Sequence, residues 1–147
     1  NFEFKYPDLI GTFDTVFALN VVEHIKDDEL AIANCKKLLK SNGTLIILVP
    51  AYQFLYNNFD VELEHFRRYT KKTLKKVIQK NQLKIQKSYY FNFIGIFGWY
   101  FSGQILKKKT IPEGQMGLFN FFVPIFKIID GITLKKMGLS TVCVAKK

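Results

Sequence analysis

Residues 13–50, FDTVFALNVVEHIKDDELAIANCKKLLKSNGTLIILVP, decide the fold. Thr15-Val16-Phe17-Ala18-Leu19 is a short, continuous apolar run. That pattern predicts a central parallel strand covered on both faces. Asp27, Asp28 and Glu29 then open a helix, where acids suit the positive end of the dipole. Leu30, Asn34 and Leu38 form one stripe, with Ala31, Cys35 and Leu39 beside it, as expected for a helix packed on a sheet. Ser41-Asn42-Gly43 supplies a left-handed stop. Thr44 begins a second buried strand that runs to Val49, and Pro50 ends its ladder. Strand, helix and buried strand in this order make a β-α-β unit of a parallel sheet, hence an α/β fold.

Outward from this unit, residues 1–12 read as a loop punctuated by Pro7 and Gly11. Residues 51–69, AYQFLYNNFDVELEHFRRY, form a long segment after a strand's carboxyl end, a place where loops are usually functional. Thr70 caps a basic helix running to about Lys80, with Leu74, Val77 and Ile78 as its apolar face. Residues 83–89 alternate apolar and polar side chains and read as a strand; residues 139–145, LSTVCVA, read as the last strand. No internal repeat interrupts this order.

The 147 residues suffice for one domain, and 15 Phe and 7 Tyr can supply much of its core. Charge is divided unevenly. Residues 1–66 hold 5 basic and 10 acidic side chains, whereas residues 67–147 hold 17 basic and 2 acidic, so the second half carries a net +15. Such a half suits either an anionic partner or a solvated lysine-rich surface. It has no interleaved arginine and aromatic platform on a strand, which argues against nucleic acid. Cys35 and Cys143 sit in apolar patterns without C-x-x-C spacing, so neither a zinc knuckle nor a redox pair is expected. Two such thiols, and an N-terminus lacking a signal-peptide pattern, suggest a cytoplasmic protein.

Three motifs carry a resemblance: F-D-x-V, L-N-V-V-E-H-I-x-D-D, and the G-T-L-I-I-L-V-P strand. Over residues 13–91 and 138–147 the chain resembles the closing half of a class I S-adenosylmethionine-dependent methyltransferase. H-F-R-R-Y-T before the basic helix, and the terminal G-L-S-x-x-x-V-A-K-K, narrow the likeness to a bacterial subgroup. The resemblance implies a partial Rossmann-like sheet made of the C-terminal strands and helices, residues 1–147 forming one partial domain. Its first strand would be the fourth of seven. It also implies S-adenosylmethionine as cofactor, with Leu19 and Asn20 offering backbone carbonyls to it and Val21 packing beside it. The glycine-rich turn and ribose-binding acid of the family have no counterpart in these residues. The chain is therefore expected to need the N-terminal half of its own domain as a partner and to be inactive alone.

Glu23 and His24 follow directly, and His65 flanks the same strand ends. An imidazole there can take a proton from a substrate hydroxyl, so His24 and His65 are the catalytic candidates. The other reading has Glu23 capping or pairing locally and His24 packing beneath the cofactor. Some relatives bind a divalent metal through E-x-x-E-H, but Asn20 stands at the first acid, so no metal is expected. Asp60, Glu62, Glu64, His65, Arg67, Arg68 and Tyr69 make a charged knot that either lines a substrate mouth or pairs internally.

Residues 88–106, SYYFNFIGIFGWYFSGQIL, hold no charge and are bracketed by Lys87 and Lys107-Lys108-Lys109. With residues 116–136, a second aromatic segment interrupted by Pro124, Lys127 and Asp130, they read as a helical insert over 88–136. It reads as a substrate lid, as an interfacial contact with anionic lipid, or at its length limit as a spanning segment. The expected function is methyl transfer to a small-molecule, lipid or glycan acceptor. The rival reading is a non-catalytic interaction or membrane-surface module that keeps the fold.

Overall fold

A computed structural model describes residues 6–108 and 113–147, apart from the side chains of residues 113–116, 118 and 119. Lys109, in the lysine run that brackets the insert, lies outside the described residues. Strand β1 (Phe13–Leu19), helix α1 (Asp28–Leu38) and strand β2 (Leu39–Pro50) form the expected unit, with β1 and β2 parallel. Short helix α2 (Asn58–Glu62), helix α3 (Lys71–Lys80) and strand β3 (Lys84–Phe91) follow. Helix α4 (Phe93–Trp99) runs into a wider π-helical turn (Tyr100–Ile105), and helix α5 (Glu113–Ile132) precedes strand β4 (Ser140–Lys146). The sheet order is β1-β2-β4-β3, and β4 runs antiparallel to both neighbours. The chain thus makes a mixed α/β sheet with its helical insert immediately before the last strand.

Helices α1 and α3 cover one face. Ile32 of α1 and Leu74 and Ile78 of α3 are fully buried with Leu45, Ile47, Val49, Cys143 and Ala145 of the sheet. The stripe that packs is centred on Ile32, whereas Leu30 stays exposed, so α1 is rotated from the orientation its Leu30–Asn34–Leu38 spacing predicts. Burial pushes the Cys143 thiol up to about 11, the behaviour of an inert core cysteine. Asp27 caps α1 by accepting from Leu30 N at 2.9 Å, and Thr70 caps α3 by accepting from Thr73 N at 3.1 Å.

Two expectations change. The left-handed residue at the end of the α1–β2 junction is Asn42, with φ 61°, and Gly43 does not adopt positive φ. Helix α1 passes straight into β2 at Leu39, and Asn42 takes up the irregularity between the Phe13–Leu39 and Thr15–Thr44 pairs. Gly43 is small for a different reason: a Cβ there would lie 2.9 Å from Lys40 O. Second, β1 is covered on one face only. Pairing puts Phe17, Ile46 and Val144 in one row and Leu19, Leu48 and Val142 in the next. Phe17 is 67% and Leu19 50% exposed, and Ile46, Leu48 and Val144 are half-buried. Val142 on that face is buried, so the opening lies at the β1–β2 end, and among the described residues β1 has no neighbour on its outer edge.

An apolar sheet face beside an unpaired strand edge recruits other chains. The polypeptide of residues 1–147, purified alone, is expected to self-associate; a monodisperse monomer in light scattering would contradict this.

Candidate functional site

The site is built where β1 ends. Asn20 takes positive φ (52°) and donates its N–H to Leu48 O at 2.9 Å, which turns the chain off the sheet edge. Leu19 and Val21 are left half exposed on either side of it. One 3₁₀ turn, Val22–His24, then buries Val22 and Glu23 and leaves His24 exposed. A chain reversal at the carboxyl end of a parallel strand is where open α/β sheets bind ligands.

The segment after β2 is ordered rather than irregular. Ala51 pairs with Tyr69 through Ala51's neighbours, Tyr69 N donating to Pro50 O at 2.9 Å and Tyr52 N to Tyr69 O at 2.8 Å. Between these clasped ends Asn57 caps α2, accepting from Phe59 N at 2.9 Å, while Asp60 Oδ2 accepts from Asn57 N at 3.0 Å. Asp60 is completely buried. Its Oδ1 accepts from Arg68 Nε at 2.8 Å and lies 2.7 Å from His65 Nδ1. Burial would raise the Asp60 carboxyl, but the hydrogen bonds from His65 and Arg68 outweigh it and hold it below the usual carboxylate range. Arg68 is itself buried, donates to Ala51 O at 3.1 Å and lies over the Trp99 ring at 4.6 Å.

The charged knot therefore pairs internally only in part. Arg68 takes Asp60, but Arg67 leaves the loop acids and binds Asp28 of α1 at 3.0 Å, donating also to Lys26 O at 2.6 Å. Tyr69 donates to the same Asp28 at 2.7 Å. These contacts, with Phe66 N donating to Glu23 O at 2.8 Å, fasten the loop across the end of β1. As a result His65 meets His24, with ring centroids 4.6 Å apart and nearly perpendicular planes. Both catalytic candidates share one site beside Leu19, Asn20 and Val21.

Glu23 completes the group in a way the sequence does not signal. It neither caps nor pairs: its side chain is fully buried and neither carboxylate oxygen has a hydrogen-bond partner. Burial pushes its carboxyl above the ordinary range, offset only in part by its own backbone N–H and then by the charges of His65 and Arg68. Glu23, His24 and His65 each present one donor atom, and these lie within 4.8 Å of one another. One carboxylate and two imidazoles are a donor set that divalent transition metals accept. The sequence puts His65 at the same strand ends as Glu23 and His24, so that it could join them, and the structure brings the three together.

The insert forms the other wall. Trp99 donates to Leu55 O at 3.1 Å and packs edge-on against Phe59 at 5.0 Å. A Cβ on Gly103 would lie 2.2 Å from Asn57 Nδ2, so the π-helical turn approaches α2 as only glycine permits. From α5, the buried Asp130 accepts from Asn92 N at 2.8 Å and Phe93 N at 2.7 Å, fixing the β3–α4 corner. The insert is thus tied to the site's loop on one side and to β3 on the other.

The profile of a family described as a methyltransferase domain matches residues 2–47. No curated protein sequence matches the chain. Among solved structures, it is similar to an S-adenosylmethionine-dependent methyltransferase from Archaeoglobus fulgidus, with 17% identity and a TM-score of 0.54 over 95% of this chain and 61% of that one. It is also similar to a Bacillus halodurans protein assigned as a methyltransferase, with 13% identity and a TM-score of 0.58 over 96% and 72%. A third is the Haemonchus contortus phosphoethanolamine N-methyltransferase 2 bound to S-adenosylmethionine, with 13% identity and a TM-score of 0.53 over 94% and 34%. The chain spans 61% and 34% of the length of the Archaeoglobus and Haemonchus proteins. The fold is that of the class I S-adenosylmethionine-dependent methyltransferases, in part.

Opposite pH signatures should separate the two buried acids. The Asp60 contribution to stability is present above the unfolded carboxylate value of ~3.9 and is lost as pH falls through its lower folded value. Glu23, raised by burial, contributes below ~4.3 and opposes folding as pH rises through its folded value. In the protein carrying the whole domain, Glu23→Gln is expected to raise metal-free stability at neutral pH by about 1–3 kcal/mol, a gain that vanishes in acid. Asp60→Asn is expected to cost about 3–5 kcal/mol by stranding Arg68. Urea unfolding across pH measures both.

Proposed function

We propose that this chain is the C-terminal part of the catalytic domain of a methyltransferase that uses S-adenosylmethionine. The observation that carries the reading is the turned end of β1, where exposed Leu19, Asn20 and Val21 adjoin His24 and His65, within and just beyond the stretch matched by the methyltransferase profile. The site also fits the cofactor chemically. The turn at Asn20 leaves the last strand residues at the rim of the sheet, and Leu19 and Val21 offer apolar surface to a nucleoside or thioether. Leu19 and Asn20 would hold the cofactor's amino-acid end through backbone carbonyls and Val21 would flank its base. When bound, S-adenosylmethionine supplies an electrophilic methyl group on a sulfonium.

This chain's own residues would align an acceptor and receive its proton. His65 is clamped at Nδ1 by Asp60, which fixes the ring and leaves Nε2 free. Asp60 is placed to stabilise that ring once it gains a proton. Exposed His24 stands against it on the solvent side. Transfer of a methyl group between two positioned reactants needs alignment and exclusion of water above all. Trp99, Phe59 and the π-helical turn supply the covering wall. The acceptor is a small molecule, a lipid or a glycan bearing a nucleophilic oxygen or nitrogen.

Calorimetry on the full-length protein tests the reading. S-adenosylmethionine should bind, and charged bulky residues at Asn20 and Val21 should weaken it by at least about tenfold. Unchanged affinity in those variants would contradict the assignment. Cofactor binding should survive chelator, since Leu19, Asn20 and Val21 offer it no metal ligand; loss on chelation, restored by magnesium, would overturn that point. Retention of the fold without cofactor binding would favour the non-catalytic module instead.

A further inference from the structure

Helix α5 wears its apolar face outward. Phe121, Ile125, Ile128 and Ile132 are 76%, 52%, 64% and 75% exposed. Their spacing of four, three and four residues places them on one stripe of a helix. The buried side of the helix is marked by Asp130, the residue that anchors it to β3 and α4. Helix α4 and its π-helical turn, which pack against α5, repeat the pattern with exposed Phe97, Phe101 and Ile105. Val123, Phe126 and Ile129 on the inner side are half-buried, so α5 is apolar on both sides, whereas an ordinary surface helix is polar outward.

Position and charge limit what can lie on this surface. The insert is joined to the β3 side of the sheet, where Tyr90 N donates to Lys135 O at 3.0 Å and Leu139 N to Asn92 O at 2.9 Å. Strand β1, whose edge and face are open, is at the opposite end of the sheet order. A strand added beside β1 would therefore lie at the far end of the sheet order from β3 and the insert. Lys107, Lys127 and Lys136, on or next to α5 and the π-helical turn, are exposed. From residue 88 to the end the sequence has two acids, Glu113 and Asp130, and Asp130 is buried. Exposed apolar area on a segment rich in cations and poor in acids matches an anionic lipid surface. A second copy of the chain would set these lysines against one another. No helix among the described residues is long and apolar enough to cross a membrane, so the contact is one of lying on the surface.

We propose that α5, with α4 and the π-helical turn, is a peripheral membrane-binding face that docks on anionic phospholipid. Phe121, Ile125, Ile128 and Ile132 enter the interface, and the flanking lysines meet the headgroups. The residues that enter the interface, Phe121, Ile125, Ile128 and Ile132, all lie on α5, apart from Trp99 and the π-helical turn that cover the site, so the proposal can fail while the methyltransferase reading holds.

Vesicle flotation of the full-length protein is the test, using phosphatidylcholine vesicles with and without phosphatidylglycerol. Binding is expected to phosphatidylglycerol-containing vesicles, at least about tenfold tighter than to phosphatidylcholine alone, and to weaken at high salt. Phe121→Ser with Ile128→Ser should abolish flotation while leaving thermal melting and S-adenosylmethionine binding unchanged, because both side chains are exposed. Lys127→Glu with Lys136→Glu should erase the preference for anionic lipid. Absence of flotation, or flotation unchanged in the serine variant, overturns the proposal. So does a lipid-free dimer that the serine variant converts to monomer, since the face would then be an interface between copies.

Discussion

The buried carboxylate of Asp60 is the constraint on which the site depends. Four groups converge on it or on its partner: Asn57 N, His65 Nδ1, Arg68 Nε and, through Arg68, Ala51 O. A buried ion pair of this kind adds little to stability relative to an apolar replacement, because removing both charges from water costs about as much as their attraction returns. What it provides is geometry. Asp60 sits at the start of α2, Arg68 just before α3, and Ala51 just after β2, so satisfying one carboxylate fixes how a nineteen-residue excursion leaves and rejoins the sheet. The ring of Trp99 under the Arg68 guanidinium extends the same constraint to the insert. His65 reaches His24 only because the loop closes in this way.

Much of the fold was legible because its signals are local and redundant. Residues 13–50 carry an apolar strand, an acidic helix start and a second apolar strand in a row, and each reading supports the next. Capping at Thr70 was equally plain. The rotation of α1 was not. Its leucines and Ile32 are similarly apolar, and which of them faces the sheet depends on α3 packing alongside through Leu74 and Ile78, a long-range contact. At the α1–β2 junction Gly43 looked like the residue free to turn left-handed, yet Asn42 takes that conformation and Gly43 is kept small by Lys40 O and the Leu39 side chain. Glycine signals either freedom or closeness, and only the fold says which.

The site was readable as a list and unreadable as an arrangement. Leu19, Asn20, Val21, His24 and His65 all stand at the end of β1, as expected from strand polarity. Charge pairing misled in one respect: Arg67 follows three loop acids but serves Asp28 on another element. Neighbours in sequence compete poorly with a partner that also accepts from Tyr69 and lies on a rigid helix end. The outward stripe of α5 hides for a related reason. Phe121, Ile125, Ile128 and Ile132 read as core residues by composition, and only their exposure, opposite the buried Asp130, shows that this side faces outward.

Glu23 brings these threads together. A fully buried carboxylate with neither oxygen hydrogen-bonded is costly, and a neutral residue of the same shape would serve the fold better. Packing alone therefore does not account for it. Around it stand the only two histidines of the chain, one clamped by Asp60 and one open to solvent. Its own backbone carbonyl accepts from Phe66 N, which docks the histidine-bearing loop. A carboxyl raised by burial beside two imidazoles, at the carboxyl end of a parallel strand, is the kind of perturbed group that marks a candidate functional site. The stability forgone at Glu23 lies within a few residues of the exposed Leu19, Asn20 and Val21, so structural cost and proposed function coincide at one point in the fold.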